Sequence, residues 1–242
     1  VVQGAFEAAV AGRPTIVLLL GEAGIGKTRL GDEAAALARA TGMRVLRGEA
    51  DVTVRRPMEL WRGVHRALDL EPANDPALPA EERRWEQLES LTAALVAAGP
   101  AVVVLDDLHW ADAVAVWVLE HLPRALGDAP VAFVATSRDQ EPGMPRLDAV
   151  RRVSRLVHLK GLDVDAVRRM ADALATGPVD AVELRARTGG NPLFVRELLI
   201  APDGAGVIGG VIGEVLDQLL RRFDATTREL LATAALAGPG AP

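Results

Sequence analysis

The stretch Thr15-Ile16-Val17-Leu18-Leu19-Leu20-Gly21-Glu22-Ala23-Gly24-Ile25-Gly26-Lys27-Thr28 decides the fold. Its first six residues are an uninterrupted β-prone run of the kind buried on both faces of a parallel sheet. The next eight fit G-x-x-x-x-G-K-[ST] and lead directly into a helical pattern. Glycines let successive backbone N–H groups turn inward around a polyanion, and the helix N-terminus adds partial positive charge. On that reading Gly21, Glu22, Ala23, Gly24, Ile25 and Gly26 form the cradle. Lys27 neutralises the β- and γ-phosphates of a nucleotide, Thr28 offers its hydroxyl to Mg²⁺, and Arg29 closes the set in the first helical turn. The bland alternative is a glycine turn that only links strand to helix. As a motif side chain Lys27 is expected to be exposed and to add little to packing.

Working outward, apolar runs at 43–48, 101–106, 131–136 and 156–159 alternate with helical patterns at 27–40, 58–70, 81–98 and 113–126. Strands that alternate with helices imply crossover connections, so the fold class is α/β: a parallel sheet flanked by helices. From Asp163 the strands stop. Helices are expected at 164–175, 179–187 and 193–200, broken by Thr176-Gly177-Pro178 and by Gly189-Gly190-Asn191-Pro192. Two further helices are expected at 207–223 and 224–237. The domain reading is 1–160 for the nucleotide-binding domain, 161–203 for a helical lid and 204–242 for the start of a further helical region.

A phosphate-binding loop needs an acid at the end of a neighbouring strand to hold Mg²⁺. Val102-Val103-Val104-Leu105-Asp106-Asp107 provides it: Asp106 for the metal, Asp107 to orient or deprotonate the attacking water. The run 131–136 leads into Ser137-Arg138-Asp139. In an open α/β sheet ligands lie beyond the carboxyl ends of the strands, so Arg138 is placed to reach the γ-phosphate; its alternative is a solvated surface arginine. His109 and Trp110 read as packing residues and Asp112 as a helix N-cap.

Composition narrows the partners. The 242 residues carry a net charge of -6, and no Cys and no Tyr are present. Excess negative charge argues against a nucleic-acid surface, since phosphate contacts supply most non-specific affinity. Without Cys there is no disulfide or thiolate chemistry, which suits a reducing, cytoplasmic setting. No apolar run approaches the roughly 20 residues a membrane helix needs. Only Lys27 and Lys160 among the 27 basic residues are lysines, so a lysine inside a motif is informative. The chain opens on Val1 rather than Met and stops at Pro242 without a natural end, which reads as a fragment.

The strings GEAGIGKTRL, VVVLDDLHWAD, ATSRD and TGGNPLFVREL, in that order, resemble the ATPase domain of STAND-class regulators. Most similar are the large ATP-binding LuxR-type transcriptional activators, often grouped with AAA ATPases. That resemblance implies a P-loop NTPase using ATP/ADP and Mg²⁺, whose nucleotide state controls self-association. It also implies a helical lid and a winged-helix-like region after it. By the same analogy Pro192 would touch the adenine from the lid; alternatively it is a first-turn proline capped by Asn191, and both can hold. The family's Gly-Arg-Glu segment at the start and its C-terminal DNA-binding region are missing here, so no nucleic acid is expected to bind these residues. Competing readings are a P-loop small-molecule kinase and an AAA-type remodelling motor. For the motor, Arg146, Arg151, Arg152 and Arg155 are candidate arginine fingers by proximity in sequence alone.

Overall fold

The computed structural model describes residues 1–51, 53, 56–71, 78–139, 147–175, 177–200, 224 and 227–229. The chain divides into two compact units, Val1–Lys160 and Gly161–Pro242.

The first unit is built on five parallel strands: β1 (Thr15–Leu20), β2 (Arg44–Glu49), β3 (Ala101–Asp106), β4 (Val131–Ser137) and β5 (Ser154–His158). Their spatial order is β2-β3-β4-β1-β5. The three central strands, β1, β3 and β4, are buried almost throughout, as their mostly apolar sequences require. The edge strands differ. Arg44-Val45-Leu46-Arg47-Gly48-Glu49 and Ser154-Arg155-Leu156-Val157-His158 mix charged and apolar residues, and both are partly exposed.

Helices cover both faces of the sheet. Ile16, Leu18, Leu20, Val103, Leu105 and Phe133 meet α4 (Ala80–Ala97) and α5 (Ala113–Ala125) on one side. Val17, Leu19, Val102, Val104 and Val134 meet α1 (Val2–Val10) and α2 (Lys27–Ala40) on the other. Each fully buried Leu or Val contributes roughly 1.5–3 kcal/mol relative to exposure. In this nearly all-aliphatic core Trp61 is the largest filler: it lies edge-on to Phe133 at 6.5 Å and donates Nε1–H to the carbonyl of Ala115 at 3.1 Å.

Three local differences from the sequence reading have physical causes. The helix expected over 58–70 is a 3-10 turn, Glu59–Trp61, followed by the short α3 (Arg62–Ala67). Met58 sits in the left-handed region at φ 62°, its N–H bonded to Oδ2 of Asp112, so no α-helix starts there. Gly63 and Gly48 let this segment lie directly on β2: a Cβ at Gly48 would come 2.0 Å from the carbonyl oxygen of Leu60. Second, α1 has no side-chain cap, only buried Ala5, Phe6, Ala8 and Ala9. Third, α6 (Asp148–Val153) is six residues long, and β5 starts directly after it.

The second unit contains α7 (Val164–Leu174), α8 (Ala181–Thr188) and α9 (Pro192–Ile200), packed through Val167, Leu184 and Val195. Asp163 caps α7 by accepting from Ala166 N, and Asp180 caps α8 by accepting from Val182 N and Glu183 N. Gly190 at φ 74° approaches within 2.7 Å of Leu162 through a backbone hydrogen bond that a side chain would block. The helices expected at 207–223 and 224–237 lie outside the described residues, apart from a short helical turn at 227–229.

Candidate functional site

The strand order brings the motif residues to one end of the sheet. β4 lies between β1 and β3, with Leu20 opposite Ser137 and Leu105 opposite Ala135. The segments leaving β1, β3 and β4, which carry Lys27, Asp107 and Arg138, are therefore neighbours beyond the carboxyl ends.

After Leu20 the backbone turns at Gly21 (φ 156°), Gly24 (φ 76°) and Gly26 (φ 100°). A Cβ at Gly21 would meet Ile25 Cγ2 at 3.0 Å and the carbonyl oxygen of Leu159 at 3.2 Å, so only glycine fits. Gly26 is the left-handed N-cap of α2 and no acid occupies that helix's first turn, leaving its positive end unopposed.

Lys27 corrects the expectation of an exposed side chain. It is 8% exposed, and Nζ donates to the carbonyls of Gly21 at 3.0 Å and Glu22 at 2.8 Å. The ammonium thus crosses the mouth of its own loop. Burial pushes its pKa below the ordinary lysine value; Asp107, and more weakly Asp106 and Asp139, pull it back up, while Arg138 lowers it further. A polyphosphate that took over the role of those carbonyls would restore the lost stabilisation of the cation.

Opposite stand the two acids. Asp106 ends β3, and the Thr136 hydroxyl donates to its Oδ1. Asp107 N–H donates to Thr136 Oγ1 at 3.0 Å and to Asp106 Oδ1 at 3.2 Å. These bonds hold Asp107 at φ 56°, a left-handed conformation uncommon outside glycine. Its carboxyl pKa is raised, first by burial and then by the neighbouring charge of Asp106, with Glu49 adding to it; Lys27 and Arg138 pull it down. His109 Nδ1 lies 3.7 Å from Asp107 Oδ1.

Thr28 and Asp106 line the same open cavity of about 510 Å³, together with Glu49, Asp51 and Val104. One hydroxyl and one carboxylate suit Mg²⁺, a hard ion that keeps several waters and takes the rest of its shell from substrate phosphates. Among the described residues no cluster of three or more His, Cys, Asp or Glu side chains forms a cage for a metal.

Arg138 follows β4, and its guanidinium lies over the ring of Trp110 at 5.8 Å. Arg29 is not part of this assembly: its side chain is 78% exposed and pairs with Glu33 at 2.8 Å. Pro192 is the first residue of α9, where Asn191 Oδ1 accepts from Leu193 N at 3.1 Å. Arg151 is tied in cis to the carbonyl of Asp139, while Arg146 lies outside the described residues. Sequence reasoning missed Thr136, whose signal was a polar residue closing a wholly apolar strand, and Glu49, opposite Asp106 in the β2–β3 register.

The family model of the AAA ATPase domain matches residues 1–134, more than half of the chain, taking in the loop after β1 and the acids after β3 and ending within β4. The chain belongs to the AAA ATPase domain family. ATP hydrolysis is the activity class of this AAA ATPase domain. No curated protein matches it significantly in sequence. Among solved structures it is similar to the ORC1 protein of Aeropyrum pernix in complex with DNA: 20% identity, TM-score 0.54, covering 91% of this chain and 59% of that one. It is also similar to Cdc6p of Pyrobaculum aerophilum: 16% identity, TM-score 0.53, covering 81% of this chain and 57% of that one. At such identities the likeness is one of fold, and the AAA ATPase domain spans under two thirds of either chain.

Proposed function

We propose that this AAA ATPase domain is the nucleotide-controlled switch of a signal-transduction ATPase of the STAND class, within a LuxR-type transcriptional regulator. ATP and Mg²⁺ are its ligands and ADP is the product it retains. The backbone from Gly21 to Arg29 cradles the phosphates, Lys27 neutralises the β- and γ-phosphates, Thr28 and Asp106 hold Mg²⁺, and Arg138 faces the γ-phosphate. Mg²⁺ when bound supplies charge neutralisation at the phosphoryl oxygens. Asp107 takes a proton from water as its oxygen attacks the γ-phosphorus; the bond to the bridging oxygen breaks, giving ADP and phosphate.

One observation favours a slow switch over a motor. Asp107 is a short carboxylate on left-handed backbone, and burial beside Asp106 makes its ionised form harder to keep. Its side chain is one methylene shorter than a glutamate's, so it positions the attacking water less closely, turnover is slow, and the ATP state lives long enough to act as a signal. The adenine contact assigned to Pro192, the winged-helix-like region after residue 203 and self-association in the ATP state rest on the resemblance of the GGNPLFVREL and DDLHWAD strings. A cytoplasmic location follows from the same reading; among the described residues no helix is long and apolar enough to cross a membrane. With a net charge of -6, nucleotide rather than nucleic acid is the ligand assigned to these residues.

Hydrogen exchange across residues 160–200, compared in ADP and in a non-hydrolysable ATP analogue, tests the switch. Different protection in the two states is expected, because a ligand shifts an equilibrium only by binding its states differently. Identical exchange would remove the lid from the mechanism.

A further inference from the structure

The turn after β3 carries an aromatic ring that the reaction as described does not use. Leu108–Trp110 is a single 3-10 turn directly after Asp107, closed by the N–H of Trp110 donating to the Asp107 carbonyl at 2.9 Å. Its end is fixed by Asp112, which accepts from Val114 N and Ala115 N and from the distant Met58 N. His109, 2% exposed, packs against the Trp110 ring at 4.9 Å. The ring is thus held by a rigid turn, yet 39% of the residue is exposed, and the Arg138 guanidinium lies over it at 5.8 Å. That separation falls within the ~6 Å over which a cation is attracted to the face of an indole.

We infer that Trp110 is a positioning residue for Arg138: its ring holds the guanidinium at the phosphate end of the sheet and so sets the preference for ATP over ADP. This rests on the reading of Arg138 as the γ-phosphate contact. Three observations support it. Arginine carries about 2 kcal/mol of rotamer entropy, and a ring that restrains the guanidinium reduces what must be lost when Arg138 engages the ligand. Arg138 leaves β4, the strand between β1 and β3 whose exits lead to Lys27 and Asp107, which places it at the same end of the sheet as those groups. The turn bearing Trp110 is also closed on the Asp107 carbonyl, so Asp107 and the ring that holds Arg138 share one support.

The test measures binding of ADP and of a non-hydrolysable ATP analogue to the full 242-residue chain for Arg138→Ala, Trp110→Leu and Trp110→Phe. Leucine keeps apolar bulk but has no π face; phenylalanine keeps the face. Trp110→Leu is expected to lower the ATP-to-ADP affinity ratio about two- to fivefold, the size of an exposed cation–π contact, with ADP affinity unchanged. Trp110→Phe is expected to recover at least half of that loss. Equal loss for both nucleotides in Trp110→Leu, or no loss, while Arg138→Ala still selectively weakens the ATP analogue, would overturn the role of Trp110 alone. If Arg138→Ala affects both nucleotides equally, the γ-phosphate reading of Arg138 fails and the inference falls with it. A Trp110→Phe variant no better than Trp110→Leu would also overturn it, because packing and not the ring face would then be at work. Far-UV circular dichroism of each variant separates these outcomes from misfolding.

Discussion

The hydroxyl of Thr136 is bonded to the carboxylate of Asp106, and through that one hydroxyl β4 fixes the acid at the end of β3. The same oxygen accepts the N–H of Asp107 at 3.0 Å, so a single fully buried side chain sets both the carboxylate of Asp106 and the left-handed backbone of its neighbour. Thr136→Val keeps the shape and removes the bonds. It is expected to cost about 1–3 kcal/mol of stability, the penalty for leaving a buried polar group unpaired, and to weaken Mg²⁺-dependent nucleotide binding. Thr136→Ser should retain most of both. Denaturant unfolding and Mg²⁺ titration in the presence of ADP measure the two effects; a Val variant that matches the parent in Mg²⁺ dependence would show that Asp106 needs no such support.

Lys27→Ala separates folding from binding. Among the described residues its ammonium bonds carbonyls of its own loop and is disfavoured there by burial, so its removal should leave the melting temperature nearly unchanged. Binding of a fluorescent ATP analogue should fall roughly 10- to 100-fold, the range of one or two charge-assisted hydrogen bonds. Affinity equal to that of the parent chain would deny Lys27 its phosphate role.

The acid pair gives a pH dependence of known sign. Because the folded-state pKa of Asp107 lies above its unfolded value, the folded chain binds more protons in the window between them, and stability falls as pH rises through that window. Asp107→Asn removes this loss and tolerates the left-handed backbone, so above the window it should melt higher than the parent while losing most hydrolysis. The hydrolysis rate needs ionised Asp107, so its acid limb should lie above the ordinary carboxylate range. Lys27 acts at the other end: its lowered pKa means that stability rises with pH between that value and the ordinary lysine pKa. Melting curves of parent and Asp107→Asn from about pH 3 to 8 check the first sign; a parent that gains stability across the acid window would contradict it.

The central strands were legible because burial on both faces leaves mostly apolar residues, and the loop from Gly21 to Thr28 because its glycines take up positive φ. The strand order was not legible: nothing in the runs 131–136 and 101–106 says that β4 lies between β1 and β3, yet that order is what joins Thr136 to Asp106. Local propensity also misread 58–70, where a contact 54 residues away, from Met58 N to Asp112, overrides the helical pattern. The burial of Lys27 escaped notice because it depends on two backbone carbonyls whose direction only the folded loop reveals. Trp110 was visible as a residue but not as the partner of Arg138, since the two lie on different strand exits.

Steady-state phosphate release by the purified chain with Mg²⁺ and saturating ATP tests the central claim most directly. A carboxylate one methylene shorter than glutamate and no arginine finger assigned in cis predict turnover on the order of once per minute or less, since a finger alone is worth ~10³–10⁵ in rate. Turnover above roughly ten per second, ordinary for an enzyme built for throughput, would contradict the account and make this domain a motor or a metabolic enzyme.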